Sequence, residues 1–278
     1  MIFGKTIKIF LIDGDPNGRM SCELSNWTGK AYKIPRIKIK DCVDRGDLNT
    51  TGVYLLFGKN EENNDVVYIG EAENVLNRLN QHLSSKDFWK ETIVFISKDE
   101  NLNKAHIKYL ENRLHDIACK TNRYQIENGC IPTQSSISES DRAEMEEFID
   151  NIKLLVNTLG HKVFEGKREA STSSLPKELL FIKGARGCNA TGEQTSEGFL
   201  VLKGSKTTDS MTPSSSQSLI KIKEDLINKK IIVNSEFIED YIFSSPSYAA
   251  AIVMGRNANG LTEWKTSDGR ILKSLETS

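Results

Sequence analysis

Between Thr51 and Lys120 the spacing of apolar residues changes from the period of strands to that of helices and back. The runs Gly52-Val53-Tyr54-Leu55-Leu56-Phe57 and Val66-Val67-Tyr68-Ile69-Gly70 are too short for helices and rich in β-branched and aromatic residues. The stretch Gly58 to Asp65 between them is almost wholly polar, so the pair predicts a β-hairpin with one tyrosine on each strand. After Gly70 the period lengthens. Val75, Leu76, Leu79 and Leu83 fall on one helical face, and Asn74, Arg78, Gln81 and His82 on the other, with Arg78 and His82 one turn apart. A third strand is expected at Thr92 to Ile96. A second helix, Leu102 to Lys120, follows, with Ile107, Leu110, Leu114 and Ile117 as its buried stripe. Lys104, Lys108, Glu111 and His115 border that stripe, which places a carboxylate beside apolar surface rather than on an open face.

On these residues the chain resembles the GIY-YIG nucleases. The first name-giving motif stands as Gly52-Val53-Tyr54, the second as Tyr68-Ile69-Gly70, and the helix arginine with a histidine four residues on as Arg78 and His82. The family's glutamate matches Glu111, and its later asparagine is matched to Asn128 before Gly129. The resemblance covers roughly Thr51 to Gly129 and implies a small mixed or antiparallel sheet flanked by helices, an α/β (α+β) domain. It also implies a Mg²⁺-dependent (or Mn²⁺-dependent) endonuclease acting on DNA, with modified or branched DNA among the candidate substrates.

Each implied residue has a chemical reason. Tyrosine, at a pKa of ~10, is a weak base at neutral pH unless positive charge favours its phenolate. Arg78, His82 and the metal are expected to supply that charge. Tyr54 is taken as the general base or water-positioning group and Tyr68 as its partner, roles that can be exchanged. Arg78 would hold the scissile phosphate through its guanidinium fork. Glu111 would bind the metal, largely through retained waters and phosphate oxygens. Asn128 and Lys104 are additional candidates. Each also has an ordinary reading: a strand tyrosine packs, a helix glutamate pairs with Lys108 or His115, and Asn-Gly makes a turn. The alternative function is a noncatalytic nucleic-acid-binding protein that keeps the fold.

Other chemistries lack a motif. There is no His-Glu-x-x-His, paired Cys-x-x-Cys, Walker loop or Gly-x-Ser-x-Gly. The five cysteines show no paired spacing, and the apolar N-terminus is broken by Lys5, Lys8 and Asp13, which points to a cytoplasmic chain with no membrane span.

Charge divides the sequence. Residues 1–45 hold nine basic and five acidic residues, 46–165 thirteen and twenty, and 166–278 fifteen and thirteen, so the middle carries −7 within an overall −1. A uniformly acidic surface would repel DNA. Much of that charge is concentrated between Glu139 and Asp150 on a helix expected from Ser140 to Leu159, which can face away from substrate. Lys33, Arg36 and Lys38, with Lys5, Lys8, Lys30 and Lys40, are then candidates to guide DNA in.

Four parts are expected: an N-terminal β extension (1–45), the nuclease domain (46–165), a linker (166–176) around Ser171-Thr172-Ser173-Ser174, and a C-terminal α+β accessory domain (177–278). The extension reads as alternating strands, Lys5 to Ile12 and Lys33 to Lys40, with a turn at Asp13 to Gly18. The accessory domain reads as a hairpin of Leu179 to Lys183 with Gly198 to Leu202, then a helix near Ser218 to Asn228. Next comes a helix capped by Ser245-Pro246 and stopped at Gly255, and a last hairpin around Leu261 to Thr266. The segment from Phe243 to Trp264 resembles an uncharacterised domain often fused to such nucleases, and restriction-and-methylation-associated modules. That resemblance implies DNA selection, with Arg256, Asn257, Asn259 and Trp264 as candidate contacts.

Overall fold

The computed structural model describes residues 4–166 and 178–276 and divides the chain into two compact units, Met1–Gly166 and Lys167–Ser278. Most of the expected linker lies outside the described residues.

The N-terminal unit is built on one seven-stranded sheet. Its strands are β1 (Ile7–Leu11), β2 (Met20–Leu24), β3 (Gly29–Pro35), β4 (Gly52–Lys59), β5 (Asp65–Ala72), β6 (Trp89–Ser97) and β7 (Gln125–Ile126). Their spatial order is β1-β2-β3-β6-β4-β5-β7, all antiparallel except the short β5/β7 pair. The expected hairpin is β4/β5, and the third strand, β6, inserts between β4 and β3. The N-terminal strands therefore extend the same sheet that carries both tyrosines.

Helices cover both faces, which is why β4 and β6 read as nearly continuous apolar runs. Helix α1 (Val75–Ser85) packs Val75, Leu76 and Leu79 against Tyr54 and Leu56. Helices α2 (Lys104–Thr121) and α3 (Glu139–Thr158) pack on the opposite face, where Ile107, Leu110, Leu114, Phe148, Ile149, Ile152 and Leu155 meet Val53, Leu55 and Phe57. Each buried aliphatic side chain contributes about 1.5–3 kcal/mol. Side-chain caps from Asn74, Asn103 and Ser138 start the three helices. The acidic helix α3 thus lies on the face away from Tyr54, and Glu146 binds it to α2 through Arg113 and the Tyr109 hydroxyl.

The expected strand Lys33 to Lys40 is corrected. It stops at Pro35, and Arg36–Lys38 and Lys40–Asp44 are 3-10 turns. Alternating Ile and Lys imitates a strand there, but Pro35 has no N–H to continue a ladder. Arg36 then pulls the chain away by donating to the carbonyls of Leu83 and Lys86.

The C-terminal unit contains β8 (Leu180–Lys183), β9 (Asn189–Thr195), β10 (Gly198–Val201) and β13 (Tyr241–Phe243) in a sheet ordered β13-β10-β9-β8. A separate small pair is formed by β11 (Ile232–Val233) and β12 (Glu236–Phe237). Helices α4 (Gln217–Asn228), α5 (Pro246–Met254), α6 (Gly260–Glu263) and α7 (Leu272–Glu276) complete it. Two expected hairpins are corrected. β9 lies between β8 and β10, unnoticed in the sequence because Ala190 and Gly192 are its only small apolar residues toward the core. Leu261 to Thr266 is no hairpin: Asn259 accepts from the Leu261 amide and starts the turn α6, and within this stretch only Lys265 forms isolated bridges, to Phe181 of β8 and to Ile271. Helix α5 begins on Ser245 and ends at a left-handed Gly255, as its sequence signals.

Candidate active site

The two tyrosines reach one face of the sheet by register. In the β4/β5 ladder Tyr54 lies opposite Gly70 and Tyr68 opposite Leu56, a diagonal pair that places their rings 6.3 Å apart. The motif glycines make room. A Cβ on Gly70 would lie 2.5 Å from the Tyr54 hydroxyl, and one on Gly52 would lie 2.5 Å from the Phe95 carbonyl of β6. Gly70 is thus the floor on which the Tyr54 phenol rests.

Helix α1 supplies the next layer. His82 Nε2 lies 2.9 Å from Tyr54 Oη, and the imidazole packs against both phenol rings, with centroids 5.6 and 5.4 Å away. His82 is buried, and burial together with the Arg78 and Lys86 charges depresses its pKa to about 4. It is therefore neutral at physiological pH. Its Nδ1 faces Ser85 Oγ at 3.5 Å, and that hydroxyl already donates to the Gln81 carbonyl. Nδ1 then carries the ring proton, and Nε2 is left to accept from Tyr54. This corrects the expectation that His82 supplies positive charge.

Tyr54 itself is fully buried, and its pKa is raised, first by desolvation and then by Tyr68, against the pull of Arg78. Tyr68 is half-buried and so the more accessible of the pair. Arg78 is exposed, is steadied by Gln81 at 3.0 Å, and has its pKa raised chiefly by the Tyr54 oxygen.

Glu111 comes from the other side of the sheet. The strand β7 pairs only with Val66 and Val67, so the rest of β5 forms an edge where α1 and α2 approach from opposite faces. The Glu111 carboxyl is close enough to Arg78 and Tyr54 for each to feel the other's charge. Burial, and then Glu71, raise its pKa to about 7, opposed by Lys104, Arg78 and Lys108. Glu71 was not foreseen. It follows Gly70 on β5 and pairs with Lys104 at 2.9 Å, while Glu73 lies 3.6 Å from the same ammonium. Strand alternation was the available signal, since Val67, Ile69 and Glu71 share the face that meets α2.

Asn128 is a clip. Its carboxamide accepts from the Ile69 amide at 3.0 Å and donates to the Ile69 carbonyl at 2.7 Å, replacing the strand partner that β5 lacks between Tyr68 and Gly70.

The remaining candidates are engaged elsewhere in the fold. Lys33 pairs with Glu91, Arg36 lies over the Trp89 ring, and Lys38 pairs with Asp41. In the C-terminal unit Arg256 pairs with Glu263 and Asn257 donates to the Ser214 carbonyl. Trp264 is corrected from a DNA contact to a core residue: it is fully buried, 4.5 Å from Phe199, with its indole N–H on the Pro246 carbonyl. It has no open face on which a base could stack.

Residues 50–124 match the GIY-YIG catalytic domain. The N-terminal unit carries a GIY-YIG catalytic domain, a nuclease-type fold. Residues 180–276 match a domain of unknown function, DUF4357, so the GIY-YIG unit is followed by an accessory domain. No curated protein and no solved structure matches the chain significantly. Among the described residues no helix is long and apolar enough to cross a membrane.

Proposed function

We propose that the GIY-YIG unit hydrolyses DNA phosphodiester bonds with the help of one Mg²⁺ (or Mn²⁺), and that the DUF4357 unit biases which DNA is cut. The observation that carries this reading is the convergence of Tyr54, Tyr68, His82, Arg78 and Glu111 on one edge of the sheet, from two strands and two helices.

The residues fit a hard divalent cation. Among the described residues no group of three or more His, Cys, Asp or Glu side chains could hold a metal. The half-buried Glu111 carboxyl, with Glu71 near it, is a sparse oxygen donor set that suits an ion retaining most of its waters. Bound there, the ion would supply positive charge to the departing oxygen.

The protein groups take the other roles. Arg78 grips the scissile phosphate with a guanidinium that, among the described residues, is in no ion pair with a carboxylate and is steadied by Gln81. Tyr68, the accessible phenol, positions the attacking water through its hydroxyl. Tyr54 stands behind it with its own O–H directed at neutral His82, a buried pair that fixes the orientation of the phenol floor beneath the substrate. This assignment exchanges the roles expected for the two tyrosines, because Tyr54 is fully buried.

The test is cleavage of duplex, single-stranded, branched and methylated DNA with Mg²⁺ or with EDTA. Metal-dependent product formation, lost in Arg78→Ala and Glu111→Ala with the fold intact, supports the reading. Binding without metal-dependent cleavage of any of them would replace it with the noncatalytic alternative.

A further inference from the structure

Just past the end of α1 a second cation joins Arg78 beside the neutral His82. Lys86 follows His82 by four residues, and its ammonium lies 4.3 Å from the centre of the Tyr68 ring. It is half-buried, and it is close enough to His82 to help depress that imidazole's pKa.

Two ordinary explanations for Lys86 fail. A cation at a helix C-terminus can neutralise the last carbonyls. Here Arg36 already does so, donating to Leu83 O at 2.8 Å and to Lys86 O at 2.6 Å. A half-buried lysine is otherwise held by a carboxylate, as Lys104 is held by Glu71 and Glu73. Among the described residues neither Lys86 nor Arg78 has a carboxylate within 4.0 Å. Two cations thus face the same phenol pair, neither of them in an ion pair with a carboxylate among the described residues, so both charges can be offered to an incoming anion.

We propose that Lys86 is a second phosphate contact: it binds a backbone phosphate flanking the one held by Arg78, so that the site grips a nucleic acid strand at two points. The proposal rests on the nuclease reading above. Lys86 caps α1 in an extended conformation, with its ammonium over the Tyr68 ring, while the Arg78 guanidinium sits by the Tyr54 oxygen. A nucleic acid strand advances about 3.4 Å per nucleotide along the duplex axis. The two cations stand at different groups of the phenol pair, so they address adjacent phosphates of one strand rather than a single one. The ring of Tyr68 holds the lysine ammonium in place, so the contact is prepared before substrate arrives.

The experiment is a fluorescence-anisotropy titration of a labelled DNA duplex in EDTA, repeated between about 50 and 200 mM salt, with wild type, Lys86→Ala, Lys86→Gln and Lys86→Arg. One lost phosphate contact lowers the slope of log affinity against log salt by about 0.9, which is roughly eight-fold weaker binding at 0.1 M salt. Lys86→Ala and Lys86→Gln should show this loss, and Lys86→Arg should restore the slope. A purely structural lysine would leave the slope unchanged, so an unaltered slope in Lys86→Gln, with melting temperature as control, overturns the inference. Should wild type itself show no salt-dependent affinity for any nucleic acid, the nuclease reading falls, and this inference with it.

Discussion

Replacing Glu111 by glutamine should make the protein more stable at alkaline pH while removing its response to Mg²⁺. The fold raises the Glu111 pKa from an ordinary 4.5 to about 7. Below pH 4.5 the carboxyl is protonated in folded and unfolded chains alike, and it costs nothing. Between 4.5 and 7 only the folded form keeps its proton, so stability falls as pH rises. Above 7 the folded protein carries the whole penalty of a desolvated carboxylate beside Glu71. A shift of about 2.5 units corresponds to about 3.4 kcal/mol at 1.36 kcal/mol per unit. Solvent reaches part of the group, and Lys104 and Arg78 stay near it, so about 2 kcal/mol is the working figure. For a unit of this size that is about 4–8 °C in melting temperature. The assay is thermal denaturation in EDTA at pH 5 and pH 8, following the transition of the GIY-YIG unit. At pH 5, just inside that window, Glu111→Gln should melt only about 2–3 °C above wild type, and at pH 8 its advantage should be larger. Added Mg²⁺ should raise the melting temperature of wild type at pH 8 and leave the variant unmoved. A difference that is the same at both pH values, or a variant less stable at pH 8, would refute the argument.

Arg78→Lys should keep the melting temperature, because the side chain is exposed, yet lose about 10²-fold or more in cleavage rate; a loss under three-fold would show that no forked phosphate grip is needed. Tyr54→Phe should cost about 1–3 kcal/mol in denaturant titration, since it strands the buried His82 Nε2, whereas Tyr68→Phe should abolish cleavage at nearly unchanged stability. Gly70→Ala should destabilise by about 1–3 kcal/mol, because its Cβ would overlap the Tyr54 phenol, and a wild-type melting curve would contradict that packing. Asn128→Ala should cost about 1–3 kcal/mol and speed amide hydrogen exchange at Ile69; unchanged exchange there would mean that the carboxamide is no clip.

What could be read from the sequence depended on how many constraints each residue satisfied at once. The strands β4, β5 and β6 were legible because both faces are buried and their apolar runs cannot be amphipathic helices. α1 and α2 were legible because their stripes have helical spacing and Asn74 and Asn103 cap them. β9 was hidden because its core-facing positions, Ala190 and Gly192, are small and the remainder is polar. Lys223 was hidden for the opposite reason. It stands with Leu219 and Leu226 on the buried stripe of α4, where a lysine reads as a surface residue. Its ammonium is satisfied by Thr207 Oγ1 and the Thr208 carbonyl, and burial brings its pKa down to about 8.

At the site, the motif letters identified the side chains but not their electrical state. Tyr54 and His82 are each one letter in a pattern, and the pattern predicts a charged histidine activating a phenol. Burial reverses that: desolvation opposes every ionised form, so the imidazole becomes neutral and the phenol keeps its proton. The same physics makes the exposed edge of β5 the place where charge can be tolerated, and Arg78, Lys86, Lys104, Glu71 and Glu111 all gather along it. A strand edge left unpaired beyond Asn128 gives access from both sheet faces, so a helix on one face and a helix on the other can address one substrate. The position of Glu111 on α2 is therefore a consequence of where the sheet ends. A longer β7, pairing with Gly70 and Glu71, would close that edge and separate the carboxylate from the phenols without altering a single motif residue.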